Sequence, residues 1–384
     1  MSNEDQEKSV DLAARHYFPS DRFYELENDL MRAGMAAPLI DEKQLVATSI
    51  EERIARTSFH CISYIRSDLE IDEELFVAVS EATRNALAIG KARCFVVSVG
   101  LISGVANLAI NLYQSKVFRD IWDAPAPLYP LNHLPIRTRE EAIAQLLVKI
   151  GPVDLIPQPL LGALIDFAVE FIAFHELGHL VNGHLMLDSI ASISELASVD
   201  DADQLRTSRA LEYDADAFAV LHCLHWAKTR ADGLTGWYEF LNNNDQQTWK
   251  TMIVAILLVV VAMDRRIDDG TADYARSTHP PPHIRAFEVM SLIGRNFDRR
   301  QNELGLPVLS DWQETLPSLR ARLELAIAEI GQSTWDTEKH DRWMDVIVEH
   351  DTFVLSRYAK LRDQLNKGKL GKRNNLAPAL QPPA

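Results

Sequence analysis

His175-Glu176-Leu177-Gly178-His179 brings together the residue types that metal-assisted hydrolysis needs. On a helix, two imidazoles four residues apart project from one face and can share one ion, with the intervening glutamate in reach of a water bound there. The ion lowers the pKa of that water to about 7 and the carboxylate takes its proton, the minimal kit of a zinc hydrolase.

The element that must present this pentapeptide is legible around it. Residues 160–187 (LLGALIDFAVEFIAFHELGHLVNGHLML) follow Pro157 and Pro159, contain no proline and are apolar on most turns, which predicts a largely buried helix. Asp166, Glu170, His175, Glu176, His179, Asn182 and His184 are its polar exceptions. An unpaired polar group costs about 2–7 kcal/mol to bury, so these side chains need partners, and a metal is the simplest one for the histidines.

Two histidines do not complete a site. A third histidine ten residues after the first would fall at position 185, with glycine at 182, but Leu185 and Asn182 stand there. Residues 209–219 (RALEYDADAFA) offer a different third ligand. Glu212 and Asp216, four apart, share a helix face, so Glu212 can ligate while Asp216 accepts the free N–H of a ligand histidine and fixes its tautomer. Further on, Ser277–Arg285 (STHPPPHIR) sets His279 and Arg285 about a rigid proline turn, with His283 a second histidine able to point inward.

In this order, H-E-x-x-H, E-x-x-A-D and a T-H-P-P turn ending in arginine, the three elements resemble the gluzincin metallopeptidases of the HtpX and CAAX-prenyl-protease type. Residues 94–109 (CFVVSVGLISGVANLA) resemble that family's active-site strand turning into a helix, so the likeness spans residues 94–290. AFHELGHLVNGHL also resembles the Lit-like phage-exclusion peptidases. The resemblance implies one zinc ion per chain, held by His175, His179 and Glu212, with Glu176 as general base and Asp216 behind a ligand. It also implies that His279 and Arg285 line the substrate side.

Membrane-bound relatives carry long apolar spans. Here Cys94–Tyr113 is 20 residues long but interrupted by Ser98, Gly100, Ser103, Gly104, Asn107 and Asn111, so it reads as a strand followed by a helix. Met252–Met263 is too short to span and reads as a core helix or buried strand, so integral membrane association is not expected. A formal charge of −16 argues against a nucleic-acid partner. Cys61, Cys94 and Cys223 form no Cys-x-x-Cys pair and read as buried thiols, and the N-terminus lacks a basic start followed by an apolar run, which together predict a cytoplasmic protein. His222 and His225 read as a half-buried helix face rather than a second metal site.

The expected fold is α+β and mainly helical, a zincin-type catalytic unit with a small β-sheet beside the metal-binding helix. Residues 1–90 read as an N-terminal helical extension, 91–295 as the metallopeptidase domain, and 296–384 as helices ending in a disordered tail, basic (Lys360 to Arg373) and then Pro/Ala-rich. Residues 123–135 could form a cleft rim. The expected activity is endopeptidase cleavage of a protein or peptide, with His279 or Arg285 steadying the oxyanion and the substrate strand added along Phe95–Val99. Two other readings stand beside it: a regulated exclusion protease that a partner or phage product triggers, and a zinc-stabilised interaction protein without catalysis. A retained Glu176 speaks against the second.

Overall fold

The computed structural model describes residues 16–32, 38–45, 49–81, 85–113, 115–122, 156, 158–187, 193–194, 202–231, 245–263, 282–300, 312–329 and 340–372. Among these the chain is mainly helical with one small sheet. The helices are α1 Phe23–Arg32, α2 Ile50–Leu69, α3 Val99–Leu112, the single turn α4 Lys116–Arg119, α5 Gln158–Val181, α6 Ala202–Ala231, α7 Asp245–Met263, α8 Pro282–Arg300, α9 Trp312–Glu329 and α10 His340–Gly368. The strands are β1 Phe76–Ser80, β2 Ala86–Ile89, β3 Cys94–Ser98 and the two-residue β4 Ile193–Ser194, ordered β1-β3-β2-β4.

Side chains alternate across a strand, and the alternation here splits the core. Val77, Val79, Phe95 and Val97 enter the main core with α2 and α5, whereas Ala78, Cys94 and Val96 face Leu26 and Leu30 of α1. Strand β3 pairs with β1 in parallel and with β2 antiparallel, so it is interior. That overturns the expectation of a substrate strand along Phe95–Val99, because β3 has no unpaired edge to offer. The N-terminal ninety residues, read as helical, also supply β1 and β2. The strand-to-helix reading of Cys94–Tyr113 holds: Ser98 ends β3, and its hydroxyl accepts from Leu101 N (3.2 Å) to cap α3 and from Asn85 N (2.9 Å).

Helix α5 is the hub. It carries apolar residues all round, with its few described polar side chains buried or paired, and packs against α2, α3, α6, α7 and the sheet. Fully burying side chains such as Phe167, Phe171 and Phe174 contributes about 1.5–3 kcal/mol each. Its rotation is further fixed by Arg53 of α2, which donates to both oxygens of Asp166 (2.6 and 2.7 Å) and to the Gly162 carbonyl (3.1 Å). Met252–Met263 is the buried half of α7, and among the described residues no helix is long and apolar enough to cross a membrane. All three cysteines are buried thiols and none is in a disulfide.

The basic stretch read as the start of a tail is instead structured as far as Lys372. Lys360, Arg362 and Lys367 lie on α10, and beyond its end Leu370 N donates to Val181 O (2.8 Å) and Lys372 N to Leu69 O (3.0 Å). Gly183, at φ +79°, makes this docking possible: a Cβ there would lie 2.7 Å from the Gly368 carbonyl carbon.

Candidate metal centre

The four-residue step on α5 places His175 and His179 on one face, and their Nε2 atoms lie 3.1 Å apart. Helix α6 crosses α5 closely at Gly178, where a Cβ would stand 3.2 Å from Ala215 Cα. One turn before that contact, Glu212 reaches in, its oxygens 3.2 Å from His175 Nε2 and 3.6 Å from His179 Nε2. The three side chains are buried and form the group that could hold a metal ion among the described residues. Bonds of about 2.0–2.1 Å at tetrahedral angles set the ligands of one zinc ion about 3.3 Å apart, and the observed spacings fit.

The two histidines turn their other nitrogens to different partners, His175 to an acid and His179 to a third histidine. His175 Nδ1–H donates to Asp216 Oδ1 (2.9 Å), and Arg285 of α8 grips the same carboxylate through Nε (2.9 Å) and Nη2 (2.8 Å). Burial works against a charge on His175, but Asp216 and Glu212 outweigh it and hold its pKa up to about 10. Burial would likewise raise the Asp216 carboxyl, yet Arg285 and His175 keep it well below the usual carboxylate range. On the other side, His179 Nδ1 lies 2.8 Å from His184 Nδ1, and His184 Nε2 lies 2.9 Å from Asp214 Oδ2. Asp214 also accepts from Asn182 Nδ2 (2.6 Å) and the Tyr358 hydroxyl (2.6 Å). Burial pushes His179 down to about 3 despite the pull of Glu212, and burial with Asp214 raises the Tyr358 phenol.

The structure thus gathers His175, His179, Glu212 and Asp216 as their spacing predicts, with Glu176 buried beside them. Arg285 departs from expectation. It is 3 % exposed and turns its fork to Asp216, behind His175, instead of lining an open substrate side. His279 lies outside the described residues, as does the stretch 123–135. His222 is buried among Phe218, Phe174 and Tyr64, deeper than a half-buried face, whereas the partly exposed His225 stacks on Tyr64. Sequence reasoning missed Asp214 and Tyr358. The buried Asn182 and His184 were the available signal that another acid had to be near.

Two imidazoles and a carboxylate thus stand at ligand spacing on two helices packed at a glycine. Residues 160–304 match the family model of Peptidase U49, a Lit-like peptidase family, which supports a peptidase and not the HtpX or CAAX-prenyl-protease type. No curated protein and no solved structure matches the chain.

Proposed function

We propose that the protein is a zinc-dependent endopeptidase in which His175, His179 and Glu212 hold one ion. The observation that carries this reading is the triangle of ligand atoms at 3.1, 3.2 and 3.6 Å inside the peptidase-matched segment. A zinc ion bound there would supply Lewis-acid activation of water and polarisation of the scissile carbonyl. Glu176, next to the first ligand, takes the proton of the attacking water and delivers it to the leaving amine. Asp216 holds His175 with its lone pair toward the ion, and Arg285 holds Asp216. The substrate is an intracellular protein or peptide, and the Lit-like match favours an exclusion protease whose target a trigger presents.

The test is a comparison of wild type with Glu176→Gln, each loaded with zinc and incubated with a cell lysate in which new N-termini are counted. The variant should keep its zinc and fold and generate none of the wild-type cleavages. Equal cleavage by both proteins would remove Glu176 from the chemistry. Zinc retention with no cleavage by either protein, in lysates of uninfected and phage-infected cells alike, would favour the interaction-protein reading.

A further inference from the structure

The groups behind His179 form a directed chain. Asp214 meets Asn182 and His184 at Oδ2 and Tyr358 at Oδ1, and an ionised carboxylate can only accept. The proton of His184 therefore sits on Nε2, and in a neutral imidazole this leaves Nδ1 as an acceptor. The only group it faces in that chain is His179 Nδ1, 2.8 Å away, which must then be the donor. With its proton on Nδ1, His179 presents the Nε2 lone pair to His175 Nε2 and Glu212. One carboxylate thus sets the tautomers of two histidines in series.

The far end of the chain lies on a different part of the molecule. Tyr358 is fully buried in α10, and the end of that helix is fastened to the end of α5 by the Leu370 N to Val181 O bond against Gly183. We propose that His184, Asp214 and Tyr358 are positioning residues for the ligand His179, so that docking of the C-terminal helix and metal binding are coupled. This rests on the proposed metal site. Coupling of this kind is reciprocal: whatever seats α10 raises metal affinity, and the metal in turn holds α10 down.

Tyr358→Phe is the discriminating variant, because it keeps the buried ring and removes only the oxygen that touches Asp214. His184→Gln cuts the chain at its middle. Zinc affinity of the full chain is measured by competition with a chromophoric chelator, and amide exchange over residues 354–370 is followed with and without zinc. We expect affinity to fall about tenfold in Tyr358→Phe and about 10–100-fold in His184→Gln, the range for groups behind a ligand. Zinc should slow exchange in α10 of the wild type, and Tyr358→Phe should lose that zinc-dependent part. The cobalt(II) form should show a shifted visible spectrum in both variants, which loss of packing alone would not cause. Wild-type affinity in both variants, or zinc-independent exchange of α10 in the wild type, would overturn the coupling. A wild type that binds no zinc would instead overturn the metal site itself.

Discussion

The two histidines of α5 stand four residues apart yet are held by unlike means. His175 is held directly, by Asp216 of α6 with a charged guanidinium from α8 behind it. His179 is held at one remove, through His184 to Asp214, with a neutral phenol from α10 behind that. The first arm lies wholly inside the segment 160–304 that matches the peptidase family, whereas the second reaches beyond it to Tyr358. A site whose ligands come from two helices thus draws their orientation from four. The difference also decides what each arm costs to break: the direct arm contains a buried ion pair, the relayed arm contains hydrogen bonds.

Asp216→Ala should give the largest effect. It leaves Arg285 buried without its carboxylate, which costs about 3–5 kcal/mol of stability, and it frees His175 to turn, which weakens zinc by about 100-fold. Urea unfolding and chelator competition read the two separately. If zinc binding survived unchanged, the direct arm would be packing and nothing more. The double variant Asp216→Ala/Arg285→Met should recover most of the lost stability and none of the lost affinity, since it removes the stranded charge but does not restore the acceptor. Recovery of both would mean that the carboxylate acts on the fold alone. The smallest change is expected for Arg285→Lys, where a point charge replaces a two-pronged fork. We expect a loss of about 0.5–1.5 kcal/mol and less than about tenfold in zinc affinity.

What could be read in advance was local. The His175–His179 step and the Glu212–Asp216 step are both four residues on a helix, and helical geometry turns such spacing directly into a shared face. The polar interruptions of Cys94–Tyr113, Ser98 among them, did the same for the strand and helix. What could not be read was direction and distance. Arg285 stood out in the sequence, but its place after the proline turn says nothing of where the guanidinium points. Strands β1 and β2 are short apolar runs, FVAVS and ALAI, which periodicity does not separate from buried helix, and missing them made β3 look like an edge. Tyr358 lies 144 residues from Asp214 in the chain, and no spacing rule links them.

Gly178 stands where α5 and α6 touch, with Ala215 Cα 3.2 Å from the position a methyl would take. Because His175 and His179 ride on one helix and Glu212 on the other, the bare backbone at that contact sets the size of the ligand triangle. A methyl group added there would force the helices apart by a few tenths of an ångström and open the triangle toward ions with longer bonds than zinc. At the proposed metal site, preference among ions would then depend on the thickness of this helix contact as well as on the identity of the donors.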